Sequence, residues 1–509
     1  MVAEGILLGP FTGGLNLASD PASVQDLDLT ICQNMELDLD GALRNRYPFE
    51  DLTATMPGTG IMKLLGIYTA PAGANYLLGS NGNNSTYYFT GTGWVQITSS
   101  LAAAAMVQYK GKAWLIADPN TSQNGGSWDP VAGFAAVPGI PRGRTIETNK
   151  ERLWVGPGVG VATNGARMTY SAVGAPTTWP DTPTTPGGGY FNVNDGDGQN
   201  IVNIIVYYSD ILIFKERSTY RFTFNTDPGQ GTLSRLSDTV GSAGQFATIS
   251  YEGLIYVLFD DKVYSLTNYN FDRVSIKVPL VSSNPSLSLR DPYILSHWND
   301  KLIVQYHSDT FVYSLRTQTW STWVSSKVGT LGRVISLPAS SFEPDRAYLM
   351  SNDVANYKLY RVSAEDAIVT ETLDCRVRTK HYDYQSPGTF KKLAFWGADV
   401  ISKVSVTGKV APVVYAVPVT WGDIQHIHWG DLGTWGRLLD TVIDVTDTAS
   451  ISSTVGERKF IRYIKALRFR QVYFEVQFVT DGSFSQAPVK LFTLTTYVTD
   501  KQHVPWKVN

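Results

Sequence analysis

The chain has 509 residues, 43% of them hydrophobic, 12% aromatic and only 17% charged, with 45 glycines and 25 prolines; that is room for more than one domain, and a composition of short strands and tight turns rather than long helices. A formal net charge of −3 excludes the electrostatic footprint of non-specific nucleic-acid binding, and no apolar run approaches the roughly 20 residues of a membrane span. Two cysteines, Cys32 and Cys375, exclude a disulfide framework, match no metal-ligand spacing and read as free thiols. The opening MVAEGILLGPF lacks the basic and apolar regions of a signal peptide, so synthesis in a reducing cytoplasm is expected.

Residues 1–58 read as an extended N-terminal arm or hairpin packed on something else. Asn34 to Arg46 predicts a strand, a turn at Asp40-Gly41 and a second strand. Residues 59–368 carry a repeat. Apolar runs are centred on Leu77, Leu115, Trp154, Leu212, Tyr256, Ile303 and Tyr348, at intervals of 38, 39, 58, 44, 47 and 45 residues. Periods near 40–50 residues with several strands each are the signature of a β-propeller. Seven blades is our count, with six and eight left open. Polar pairs precede several runs: Lys110-Gly111, Ser209-Asp210, Glu252-Gly253 and Asn299-Asp300. This is turn chemistry feeding a new strand.

RLWVGPGVG (152–160) reads as an inner strand of the third blade, with Trp154 in the core. Outer strands end on aromatics, and Thr310, Val312 and Ser314 alternate with Phe311, Tyr313 and Leu315, which predicts one buried face. The Pro/Gly-rich stretch 175–200 reads as a rim insertion.

Residues 369–509 read as a second all-β domain of sandwich type. Val472, Phe474, Val476 and Phe478 alternate with Tyr473, Glu475 and Gln477. The basic run 459–471 puts Arg462 and Lys465 on opposite strand faces, so no basic stripe forms. The stretch WGDIQHIHWGDLGTWGR (421–437) is a Trp/Gly loop crossing the domain's edge. The expected architecture is therefore all-β: propeller, β-sandwich and arm.

Chemical motifs are weak. Asp195 and Asp197, two apart in NDGDGQN, could offer oxygen ligands to Ca²⁺, but the twelfth position of such a loop is Val206 where an EF-hand needs Glu. A turn opening the next strand is the plainer reading. His426 and His428 share a strand face, with Asp423 and Asp431 nearby, yet no third His accompanies them. No Gly-x-Ser-x-Gly elbow and no phosphate-binding loop occurs. Glu216, Arg217 and Asp291 are candidates for a propeller's central channel. No cofactor and no enzymatic activity is expected. Trp421, Trp429 and Trp435 are aromatic candidates for contact with a partner or a sugar.

FTGGLN (11–16) followed by QNMELDLDGALRNR (33–46) resembles the opening of tailed-bacteriophage virion proteins. RMTYSAVGAPTTWP (167–180), DGDGQNIVNIIVYYSDILIFKERSTYRF (195–222) and VGSAGQFATISYEGLIYVLFDDKVYSL (240–266) resemble later segments of the same family. The family is the β-propeller tail protein, similar to nozzle or tail-terminal proteins. The resemblance implies a structural, non-enzymatic virion component in a homo-oligomeric ring, often six-fold. It implies other tail proteins as partners, a passing contact with DNA, and residence in the virion tail. Within it, Phe11 and Asn16 become candidates for interaction. The alternatives are a receptor- or glycan-binding propeller of the tail tip, with a host-surface receptor as its partner, and a non-viral propeller scaffold.

Overall fold

A computed structural model describes residues 4–500, apart from 59–62, 83, 158–164, 180–186, 283–291, 338–345, 352–357, 364–370, 383, 385–390, 402–405, 413–444, 450–457, 470–471 and 481–488. The described chain divides into two units. One comprises Tyr47–Arg316 with Trp323–Glu371; the other comprises Met1–Arg46, Thr317–Thr322 and Thr372–Asn509. These are not the three consecutive segments read from the sequence. Residues 1–58 do not stand apart as an arm, because their strands complete sheets made by residues hundreds of positions away.

The first unit is a seven-bladed β-propeller. Blades 1 to 5 are four-stranded antiparallel meanders, and their innermost strands are Lys63–Thr69, Ala103–Tyr109, Thr145–Asn149, Ile201–Tyr207 and Thr248–Tyr251. Blade 6 begins with Tyr293–Trp298, Lys301–Tyr306 and Asp309–Ser314. Blade 7 is Leu331–Leu337, Arg346–Ser351 and Lys358–Ser363, and its fourth strand is Glu50–Thr55 from the start of the unit. That strand closes the ring non-covalently. Ion pairs Lys358–Asp51 (2.9 Å) and Arg361–Glu50 (2.7 Å) flank it. The buried Glu371 carboxylate accepts from the Phe49 N–H at 2.6 Å and the Ser325 hydroxyl at 2.5 Å.

The aligned apolar runs are the second strand of each blade, not the innermost. Arg152–Gly156 is buried along its whole length, because neighbouring blades cover both of its faces. For the same reason Thr310, Phe311 and Val312 are all buried, where alternation predicted one covered face. The core is accordingly a set of layers between blades. Trp154, with no exposed surface, packs on Tyr170 of its own blade (5.0 Å) and on Phe222 of the next (5.9 Å). Its indole N–H donates to the Asn149 carbonyl, as that of Trp114 does to Tyr109 one blade earlier. The stretch 175–200 is not only an insertion, since Gly189–Asn192 is the outermost strand of blade 3.

The polar pairs are hairpin turns between first and second strands. Lys110-Gly111 lies at φ 49° and 70°, and Asn299-Asp300 at 47° and 55°, the left-handed geometry that two-residue hairpins require. Asp210 is the exception and already opens a strand. A second repeat was not legible: the end of one innermost strand bonds to the turn of the next blade. Tyr68 Oη donates to Gly111 O (2.5 Å), Tyr109 Oη to Glu151 O (2.9 Å), Asn149 Nδ2 to Ser209 O (3.0 Å) and Tyr251 Oη to Asp300 Oδ1 (3.0 Å). Each bond couples blade n to blade n+1.

The other unit is a β-sandwich. One sheet is built on Lys391–Ile401, Arg458–Phe469 and Lys490–Asp500, joined by Leu43–Asn45, Met35–Leu37 and Glu4–Leu8. The other contains Asp28–Gln33, Leu373–Thr379, Val472–Thr480, Val406–Pro412 and Val445–Ala449. Val472, Phe474, Val476 and Phe478 are fully buried, as their alternation predicts, and the Phe474 ring meets Trp396 of the opposite sheet at 5.3 Å. Cys32 and Cys375 are both buried and free in this unit. Among the described residues no helix is long and apolar enough to cross a membrane.

Candidate functional site

Closing seven meanders into a ring leaves an axis lined by the innermost strands. A cavity of about 210 Å³ lies there. Every blade contributes to its wall, from Leu65 in blade 1 through Met106, Glu147, Ile205, Ile249 and Leu295 to Arg333 in blade 7.

Most polar groups at this wall are engaged in holding blades together. Thr145 Oγ1 donates to Asn203 Oδ1 at 2.8 Å, and Asn203 Nδ2 donates to Thr248 Oγ1, a chain across blades 3, 4 and 5. Gln245 Nε2 reaches over the axis to the carbonyls of Ala104 (3.0 Å) and Arg144. Arg333 Nη1 donates to Leu65 O at 2.6 Å, joining blade 7 to blade 1, and its guanidinium sits 4.6 Å from the centre of the Phe246 ring. Gln245 and Arg333 thus satisfy backbone carbonyls that an open axis would leave to water, and the Phe246 ring packs under the Arg333 guanidinium.

Arg144 and Glu147 are the remaining charged groups of the wall. Glu147 keeps part of its surface accessible from the cavity but is enclosed by protein. That enclosure pushes its carboxyl up from 4.5 to about 7, with the Thr148 N–H pulling the other way. At neutral pH it exchanges its proton readily, which suits binding as well as proton transfer. Sequence reading missed all three charged residues. The available signal was positional: in a propeller the strand preceding each apolar run faces the axis, and TIETN and LGRVISL carry Glu147 and Arg333 in such strands.

Of the charged residues expected in the channel, the two that are described lie elsewhere. The Glu216 carboxylate accepts from Asn200 Nδ2 at 2.8 Å, and the Arg217 N–H donates to Gln199 at 2.9 Å; neither lines the cavity. Asp291 is outside the described residues.

The Asp195–Asp197 turn does hold a cation, supplied by the chain itself. The fully buried Lys215 ammonium donates to the carbonyls of Val193 (2.9 Å) and Asn194 (3.0 Å) and to Asp197 Oδ1 at 2.5 Å. Burial pushes the Asp197 carboxyl up, but the Lys215 ammonium and the Gln199 N–H outweigh it and hold it below the ordinary value. The Asp197 carboxylate and two neighbouring carbonyls are thus engaged by lysine. Asp195 accepts from Asn192 Nδ2 at 3.0 Å.

Phe11 and Asn16 are internal rather than available to a partner. Phe11 is 1% exposed, and Asn16 Nδ2 donates to the buried Asp28 carboxylate at 2.8 Å. A Cβ on Gly13 would stand 1.7 Å from Asp28 Oδ1, so glycine is required for that approach. Downstream, Arg46 is fully buried and its Nε donates to Asn34 Oδ1 at 2.9 Å. His426, His428, Trp421, Trp429 and Trp435 lie outside the described residues, and no group of three or more metal-ligating side chains occurs among the described ones.

No protein-family model and no curated protein matches the chain. Similar solved structures include the extracellular domain of the hybrid two-component system BT4673 of B. thetaiotaomicron, at 11% identity over 69% of this chain and 43% of that one, with a TM-score of 0.42. BamB from Moraxella catarrhalis matches at 10% identity over 71% of this chain and 96% of its own, TM-score 0.35. The Pan2 WD40 domain of Neurospora crassa matches at 10% over 62% and 98%, TM-score 0.37. The chain spans less than half the length of the BT4673 domain. With TM-scores this low, the assignment of the propeller rests on the chain's own strand pairing: seven antiparallel meanders closed on themselves by Glu50–Thr55.

Proposed function

We propose that the protein is a non-enzymatic propeller scaffold that works by being assembled against other proteins, and that this assembly is a bacteriophage tail. The observation that carries the reading is where the tail-protein-like residues lie. Asn16 bonds Asp28, Arg46 bonds Asn34, and Lys215 bonds Asp197. Each is a buried or part-buried polar pair fixing the path of the backbone. Residues that build a frame, rather than residues that meet one particular ligand, are what proteins sharing an architecture have in common.

In this reading the partners are other tail proteins, and copies of the chain form a ring by head-to-tail contacts that close. The bond of Gln245 to Ala104 and the contact of Arg333 with the Phe246 ring oppose passage of anything as wide as DNA along a single propeller. Any path for DNA would then run through the ring of subunits.

The test is to tag the chain and label purified virions. Label on the tail is the expected result; label on the capsid, or on no particle, overturns the tail assignment while leaving the scaffold. Mass photometry of the purified chain, alone and with its co-purifying proteins, addresses the scaffold itself. A monomer that captures nothing overturns it.

A further inference from the structure

We propose that the cavity on the propeller axis binds a small organic zwitterion, a molecule with a carboxylate at one end and an ammonium at the other. The inference is independent of the scaffold reading.

All seven blades wall the cavity, whose volume is about 210 Å³. The polar side chains that tie blades together are already satisfied, as Thr145, Asn203 and Thr248 are by one another. Two side chains of the wall differ. The Arg144 guanidinium has no partner among the described residues, and the Glu147 carboxylate is met by the Thr148 N–H but by no cation. Arg144 lies at the bend that precedes the strand Thr145–Asn149 and Glu147 within that strand, and both line the same cavity.

Opposite charges in a poorly solvated space attract strongly, yet these two form no ion pair. A wall that holds them apart is complementary to a ligand carrying the reverse arrangement. The planar guanidinium suits a carboxylate, which it can meet through two parallel hydrogen bonds. The lone carboxylate suits an ammonium. Ile205, Ile249 and Leu295 supply apolar surface for the methylene chain between the two ends.

The position of Glu147 adds support. Enclosure pushes its carboxyl up to about 7, and a charge retained against its own desolvation marks functional sites more often than structural ones. Facing it in the cavity, the charged groups are Arg144 from its own segment and Arg333 from blade 7; blades 1, 2, 4, 5 and 6 present uncharged residues.

The experiment is calorimetric titration of the full chain with ε-aminocaproate, caproate and hexylamine near pH 8, where Glu147, titrating at about 7, is mostly ionised. The expected result is saturable single-site binding of ε-aminocaproate, tighter than either one-ended analogue by about 10- to 100-fold. Glu147→Gln and Arg144→Gln should each weaken it by a similar factor, with unchanged circular dichroism. No binding of ε-aminocaproate to the wild type overturns the proposal. So does caproate or hexylamine binding as tightly as ε-aminocaproate, or undiminished binding by both variants. The three-ligand comparison on the wild-type chain decides the matter even if a variant fails to fold.

Discussion

The propeller and the unit built from both ends of the chain are made of the same strands and turns, but they are held together over very different lengths of sequence. Within a blade, partners lie a hairpin apart, and each blade covers the next. In the sandwich, Lys490 reaches Asp38 and Asp40 across 452 and 450 residues, and Glu4–Leu8 pairs with the strand Lys490–Asp500. The propeller's stability is therefore spread over repeated layers that resemble one another. That of the sandwich depends on a few long-range pairings with no substitutes. The propeller also has a long-range joint, where Glu50–Thr55 closes blade 7, and there it uses the same means: ion pairs and a buried carboxylate.

The sharpest attempt to break this comparison is Trp154→Ala. It empties the layer between blades 3 and 4 and should cost about 3–5 kcal/mol. Hydrogen exchange should show the loss of protection concentrated in peptides from those two blades; a uniform loss along the chain would mean the layers are not separable. Next is Lys215→Met. It leaves Asp197 and two carbonyls without their cation and should cost about 3 kcal/mol in denaturant unfolding. Added Ca²⁺ should restore part of the loss if the oxygens can close on a metal, so the variant also tests whether lysine occupies a cation site.

For the sandwich, Gly13→Ala places a methyl against the Asp28 carboxylate and should cost about 1–3 kcal/mol. A neutral outcome would show that FTGGLN is not the structural clasp described here. The remaining effect is a gain. The Glu147 carboxyl titrates higher in the fold than in the unfolded chain, so its ionisation opposes folding. That penalty is absent near pH 4.5 and grows as pH rises to about 7. Glu147→Gln should thus stabilise the protein by about 2 kcal/mol near pH 8, after allowance for solvent in the cavity, and by nothing in mild acid. Equal stability at both pH values, read from denaturant midpoints, would show that the carboxylate is better solvated than its enclosure implies.

How much of this was legible varies by residue. The periodic apolar runs showed the propeller because the centre of a strand covered on both faces must be apolar whatever its exact residues, as Leu153–Val155 and Ile211–Phe214 are. Alternation at Val472–Phe478 showed a sandwich face for the complementary reason. Phe11 and Asn16 were read as contact residues because nothing local says that Asp28 approaches Gly13. Glu147 was passed over because a carboxylate within a short strand looks like any solvated one until the ring puts it on the axis.

The sequence by itself determined the strand class and the repeat, and left the blade count between six and eight. Burial on both faces, alternation and left-handed turns are each written within a few neighbouring residues. Tertiary structure alone decided that the N-terminal segment completes the distant sandwich, that Glu50–Thr55 closes the ring, that lysine sits where a metal might, and that Arg144, Glu147 and Arg333 share one cavity. These depend on residues far apart in the chain, whose meeting is set by closure of the sheets and not by any local preference.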